Sequence, residues 1–417
     1  MTPEAAVSSM DPLIRAIISI GVLVFLAKLF ANIASTMKLP TVLGEIIAGI
    51  LFGPYFLGGA IRIYGEPLVV LNDYVHAFAE VGAIMVLFSA GVGMGYTRLK
   101  SAGLWATLIA VGGGALPFAT AYFFYSNIIG ADSTSSLIMS TAFVATSVAI
   151  TVRMLEDLGY VDTVFGNLLV NSAVIDDVVG VIALGMVIAT ITEGAMEMST
   201  IVAKVVAYSL LWIVMLEISI YVVPKILDQK SLIEHEGGVE SAAISIGFIM
   251  AALSGALGLS PIVGAYTAGL AVGESRVIHK VKEFSERMEM FFGSLFFSVV
   301  GAMVDINVLL DPSIISLTLI LSLLAFISKA IGAAMPAMLK LKDIKPSLCL
   351  GMGMTPRGEM GLVVATTALE MKAIGEGVYA QIVGMVLITT FFAPLLMTKY
   401  CMREKCNTVR KAEKVEN

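Results

Sequence analysis

Residues 171–190 read NSAVIDDVVGVIALGMVIAT, an apolar run of membrane-spanning length with two adjacent acids, Asp176 and Asp177, near its middle. A carboxylate at mid-bilayer costs about 2.5 to 3.5 kcal/mol on insertion scales, so an acid kept there marks an ion or proton site. Two side by side sharpen the reading, because like charges in poorly solvated surroundings cannot both ionise easily unless a cation joins them. A site that trades protons for a cation has this form.

Working outward, the whole chain is as apolar as that run. Of its 417 residues 58% are hydrophobic and 14% charged, and the mean hydropathy is +0.93. Soluble domains of this length do not reach such values, so a polytopic membrane protein is expected. No basic patch points to nucleic acid. The three histidines, His76, His235 and His279, fall in expected loops and form no metal cluster. Cys349, Cys401 and Cys406 lack a paired pattern and read as free thiols. The N-terminus, with Glu4, Asp11 and Arg15, is no basic signal region, so residues 13–33 read as a retained first span. No appended soluble domain is expected, only a polar tail over 401–417.

Counting runs of about 17 to 25 apolar residues, and accepting shorter ones where Gly and Pro interrupt, gives about thirteen spans. They cover 13–33, 40–58, 68–95, 102–127, 136–155, 164–192, 200–226, 240–258, 261–274, 288–308, 313–338, 347–370 and 376–400. Charge tests the count independently. Nineteen of the 26 Lys and Arg fall in the odd-numbered connections and the C-terminal tail, whereas the even-numbered connections hold only Arg62 and Lys372. The positive-inside rule then places the N-terminus outside and the C-terminus in the cytoplasm; the expected location is the plasma membrane. Arg15, Lys28 and Lys204 lie towards helix ends and can snorkel. Lys329 and Arg357 are deeper, and need acidic partners in the bundle interior. Glu45 and Glu80 read as solvated near helix ends, Glu217 has no assigned place, and SRVIHKVKEFSERMEMF reads as a cytoplasmic interfacial helix.

Residues 39–53, LPTVLGEIIAGILFG, overlay residues 259–273, LSPIVGAYTAGLAVG, with Gly44, Ala48, Gly49 and Gly53 falling on Gly264, Ala268, Gly269 and Gly273. The two segments run in opposite directions through the expected topology. That is the inverted-repeat build of many secondary transporters, whose sites lie at interrupted helices near the midplane. The repeats are expected over about 13–192 and 240–400, joined by a linker helix over about 200–226, in one transporter domain spanning 1–400. Two interruptions sit in matching places. FVATSVAI carries Thr146 and Ser147 in mid-span, and GMTPRGEMG carries Pro356, which removes a backbone donor. Such breaks free carbonyls and hydroxyls that can coordinate a hard cation.

Seven stretches now carry a family likeness: LPTVLGEIIAGILFGPYFLG, FAEVGAIMVLFSAGVGM, TAFVATSVAITVRMLEDLG, NSAVIDDVVGV, LGLSPIVGAYTAGLAVGES, FFGSLFFSVVGAMVDINVL and TPRGEMGLVVA. In that order they resemble the signatures of the monovalent cation/proton antiporter-2 family, most closely its NapA-type sodium/proton antiporters. The likeness implies an all-α membrane protein in which two broken helices cross beside the aspartate helix, assembled as a homodimer in lipid. It implies Asp177 as the principal ligand for Na+ and carrier of protons, and Asp176 as a second carboxylate, salt-bridged to Lys329 when no cation is bound. Thr146 and Ser147 would supply oxygens at the crossing. Glu359 and Arg357 would form a charged pair near the second break. No cofactor is expected beyond the transported Na+ and H+, with Li+ or K+ as other candidates.

Rival readings fare less well. An intramembrane aspartyl protease draws its acids from two helices in Tyr-Asp and Gly-x-Gly-Asp contexts, neither of which occurs here in a span. A sodium-coupled symporter of organic anions would need no buried lysine beside twin aspartates. A Kef-like potassium efflux system is closer, but its C-terminal nucleotide-binding domain has no counterpart in these residues. Consecutive helix residues point about 100° apart. The two aspartates can therefore edge one cavity but cannot play identical parts.

Overall fold

In the computed structural model the described residues are 11–37, 41–63, 65–101, 103–148, 150–151, 155, 160, 163–193, 198–229, 236–257, 259 and 261–401; the side chains of Asp177 and Glu359 lie outside the description. The main helices in chain order are α1 (Pro12–Thr36), α2 (Thr41–Phe52), α3 (Asp73–Met94), α4 (Gly103–Phe123), α5 (Ser133–Val144), α6 (Val164–Glu193), α7 (Met198–Leu227), α8 (Gly238–Ala256), α9 (Pro261–Val272), α10 (Ile278–Ala302), α11 (Pro312–Leu341), α12 (Ile344–Gly353), α13 (Glu359–Glu370) and α14 (Glu376–Cys401). Every expected span has a helix or a broken helix over it. Two details differ. The interfacial helix and the tenth span are one continuous helix, α10, since nothing in VKEFSERMEMFFGSL breaks the turn. The third span begins only at Asp73, after a two-residue antiparallel ladder pairs Arg62 with Pro67 and Ile63 with Glu66.

Local chemistry sets the helix ends. Asp11 caps α1 by accepting from the Leu13 N–H, with Pro12 in the first turn, where its missing donor costs nothing. Asp132 caps α5 in the same way, accepting from the Ser135 N–H. Eight helices among the described residues are long and apolar enough to cross a bilayer, and four apolar helices are shorter. Much of that apolar surface faces outward, as Phe25, Leu29 and Ile33 do on α1. Lipid is as apolar as leucine, so helices associate there through small residues rather than by escaping water. The buried seam of α1 fits: Ala16, Ser19, Leu23, Ala27, Ala31 and Ala34 recur every three or four residues.

The chain divides into two compact units. One comprises Met1–Gly93, Ser219–Gly255 and Pro261–Asp311; the other comprises Met94–Ile218, Ala256–Ser260 and Pro312–Asn417. Within the first unit, α2 packs against α1 and α10, and a buried cluster of Phe88, Val92, Val223, Ala243, Ala268 and Val272 joins α3, α7, α8 and α9. In the second, α11 is central, packing against α4, α12 and α14, while α4 also packs against α5 and α6.

Glycine contacts make the repeat visible in three dimensions. In the first unit Gly44 lies against the backbone of Phe30 and Gly264 against that of Met250, each member of the second pair 220 residues further on. Gly91 meets Tyr266 as Gly301 meets Ile46, and Gly269 meets Phe88 as Gly49 meets Ser298. In the second unit Gly112 of α4 and Gly332 of α11, again 220 residues apart, face each other backbone to backbone. No Cβ fits at that approach. Gly332→Ala is therefore expected to destabilise the protein by about 1–3 kcal/mol through overpacking, read as a lower melting temperature in detergent. Gly21→Ala, with nothing within 4 Å of the added carbon, should melt at or slightly above the parent temperature.

Candidate functional site

Among the described residues the second unit contains two helix breaks, and they lie against each other. After Val144 the backbone turns extended at Ala145, with φ −66° and ψ 143°, and residues 145–147 are non-helical. After Gly353 a single turn at Met354 leads into the non-helical stretch 355–358, where Pro356 cannot donate. Each break satisfies the other. The Ser147 N–H donates to the Pro356 carbonyl at 2.9 Å, the Thr146 hydroxyl to the Met354 carbonyl at 2.8 Å and the Thr151 hydroxyl to the Gly353 carbonyl at 3.1 Å. Gly358 permits this approach, because a Cβ there would run into the Ser147 side chain.

Among the described side chains, three buried charges surround the crossing. Lys329 and Asp176 are both 0% exposed, and the Lys329 ammonium donates to both Asp176 oxygens at 2.7 Å. Its third bond goes to the Val144 carbonyl. Arg357, also 0% exposed, sends its guanidinium to the carbonyls of Ala145 at 2.8 Å, Val144 at 3.3 Å and Ala325 at 3.2 Å. Beyond these bonds, which go to carbonyls that the helix breaks leave free, Arg357 also interacts electrostatically with the buried Asp176; the Glu359 side chain lies outside the described residues. The negative end of the α5 dipole favours two cations at that point. The Thr390 hydroxyl of α14 donates to the Arg357 carbonyl and so ties the last helix to the break. On α4, Gly113 lies beside the Lys329 side chain and Gly114 beside Asp176 Oδ1, leaving room for the pair.

Asp176, Lys329, Thr146, Ser147 and Arg357 are brought together around the two breaks. Asp177 follows Asp176 on α6 and Glu359 opens α13, but their side chains lie outside the described residues. The pairing of Gly112 with Gly332 puts Ile109 at the place in α4 equivalent to Lys329 in α11. The charge sits where the repeat symmetry is broken.

Sequence reasoning missed three features. Glu45 is buried rather than solvated, accepting from the Ser294 hydroxyl and lying 3.3 Å from the Lys28 ammonium. Its repeat counterpart is Ala265, and that contrast was the available signal. Glu217 accepts from the Tyr96 hydroxyl at 3.0 Å. Cys349 and Cys401 are joined by a disulfide, with Cα atoms 5.7 Å apart. Their reading as free thiols is corrected for those two, because α12 and α14 pack together; Cys406 lies outside the described residues.

A helical membrane protein with two broken helices crossing beside a buried acid and lysine is a secondary transporter in class. The sequence profile of the family described as sodium/hydrogen exchanger, transmembrane, matches residues 21–401. The chain belongs to that family. Among its relatives are the Na(+)/H(+)-K(+) antiporter GerN of Bacillus cereus, 27% identical over 93% of this chain and 96% of that protein, and the high-affinity Na(+)/H(+) antiporter NhaS3 of Synechocystis, 26% identical over 92% and 89%. The fold is that of the sodium proton antiporter MjNhaP1 from Methanocaldococcus jannaschii, with a TM-score of 0.71 at 16% identity, covering 93% of this chain and 96% of that one.

Proposed function

We propose that the protein is a multi-pass secondary antiporter that exchanges Na+ for H+, with Asp177 and Asp176 as the groups for which cation and protons compete. The observation that carries this reading is the buried Asp176–Lys329 pair seated against the open end of α5. Lys329 fully occupies Asp176. A cation arriving at Asp177 can take Asp176 only by displacing that ammonium, which keeps a partner in the Val144 carbonyl. Oxygens of the breaks at Thr146 and Ser147 complete a hard-cation environment. Protonation of the acids expels the cation, and this competition alone couples the two fluxes. Arg357 holds the break open at its carbonyls, with Glu359 beside it in sequence. The proposed setting is a plasma-membrane homodimer with the N-terminus outside and the C-terminus in the cytoplasm, serving pH homeostasis. The names of relatives support Na+ as the substrate, and that of GerN supports K+ as a second.

The test is reconstitution in proteoliposomes with a lumenal pH dye, adding Na+, Li+ and K+ in turn across pH. Na+-dependent proton release is expected, and none with any cation would overturn the reading. With two acids serving one monovalent cation, more than one proton moves per cycle. Exchange should therefore respond to an imposed membrane potential; indifference to voltage would remove the electrogenic part of the proposal.

A further inference from the structure

We propose that Cys349 and Cys401 form a reversible thiol–disulfide site whose oxidised form braces the half-helix α12 and slows exchange. The inference rests on the orientation and activity proposed above. Lys340, Lys342 and Lys345 precede Cys349, and Lys399, Arg403 and Lys405 flank Cys401, so both cysteines belong to the basic face assigned to the cytoplasm. Disulfides on that side of a membrane are usually transient and redox-sensing rather than structural.

The pair also has a mechanical line to the candidate ion site. Cys349 is nearly buried on α12, and Cys401 is half-buried at the end of α14. The last turn of α12 and the break after it supply the Gly353, Met354 and Pro356 carbonyls that receive the first break. Gly351 packs on the backbone of Ala330, next to Lys329. From the other side, α14 holds the Arg357 carbonyl through Thr390. Oxidation therefore links covalently the two elements that fix the second break, closing a loop over a sequence separation of 52. A half-helix tethered at both ends has less freedom to adjust as a cation leaves. The oxidised protein is the slower one.

The chemistry is thiol–disulfide exchange with a low-molecular-weight disulfide. The thiolate of Cys401, the more exposed of the two, attacks one sulfur of that disulfide and expels one thiolate. The Cys349 thiolate then attacks the Cys401 sulfur of the mixed disulfide and expels the second. Two protein thiols are oxidised and one small disulfide is reduced to two thiols. Excess small thiol reverses both steps.

The experiment uses the full chain with Cys406→Ser, so that no other pairing competes, equilibrated in glutathione buffers of graded redox poise. Thiols are trapped by alkylation and counted by mass, and exchange is measured in proteoliposomes from the same samples. The expected result is a single two-electron transition between a dithiol and a Cys349–Cys401 disulfide, with several-fold faster exchange in the dithiol form. Cys349→Ser and Cys401→Ser should each exchange at the dithiol rate at every poise. Equal rates in the two forms, with exchange itself intact, overturn the inference and leave the antiport reading standing. If neither form exchanges ions, amide hydrogen exchange over residues 344–358 decides: slower exchange in the oxidised form supports the brace, and equal protection overturns it. Failure to form the disulfide at any poise overturns it outright.

Discussion

Asp177→Asn is expected to reduce Na+-dependent proton release from proteoliposomes to the level of protein-free vesicles, while the protein still inserts, purifies and melts as a single species. Asn keeps the size and polarity of the side chain but can neither carry a proton nor balance a cation. If Asp177 is the exchanged ligand, chemistry is lost without loss of fold. Asp176 already gives both of its oxygens to Lys329, and Asp177, its neighbour on α6, is the other carboxylate of the pair. Exchange preserved at more than background level in Asp177→Asn would remove that residue from the mechanism. A protein that fails to purify would shift the question to Asp177→Glu, which keeps the charge and should retain exchange with altered apparent cation affinity.

Breaking the buried ion pair from one side should cost stability as well as function. Lys329→Met leaves the Asp176 carboxylate in a fully buried place beside α4 and α5 without its partner. Removing one member of a buried pair typically costs about 3–5 kcal/mol. A clear fall in melting temperature in detergent is expected, together with lost or strongly pH-shifted exchange. Asp176→Asn alone leaves the buried ammonium with neutral acceptors, the amide oxygen and the Val144 carbonyl, and without its countercharge, and should fall similarly. The double substitution removes both charges at once and should recover most of the lost stability without recovering wild-type exchange. A double variant as unstable as the sum of the singles would show that the two side chains do not act as a pair.

These expectations differ in how far the sequence alone supports them. Asp176 and Asp177 stand out from the sequence because their energetic cost is local: a carboxylate in an apolar run is expensive whatever it packs against. Pro356 announces a helix break for the same reason, since the missing donor is a property of one residue. The first break, at Ala145 to Ser147, has no Gly or Pro to mark it, and its hydroxyls gained weight only from their company. Arg357 was legible as a buried cation but not as a ligand of carbonyls. Its bonds run to residues more than two hundred positions earlier in the chain and to Ala325. Glu45 read as solvated because its position near a helix end said nothing of the α10 residue, Ser294, that would cover it.

The sequence by itself determined that this chain spans a membrane many times, that two of its segments repeat, and which segment carries misplaced acids. Hydropathy, helix period and backbone-donor chemistry are properties of neighbouring residues, so they survive without a fold. Only the tertiary structure decided what each buried charge touches, that Gly112 and Gly332 meet across the repeat, and that Cys349 and Cys401 are joined. Those outcomes depend on which helix faces approach closely enough for a backbone carbonyl, a carboxylate or a sulfur to come within bonding reach, and that is a property of packing.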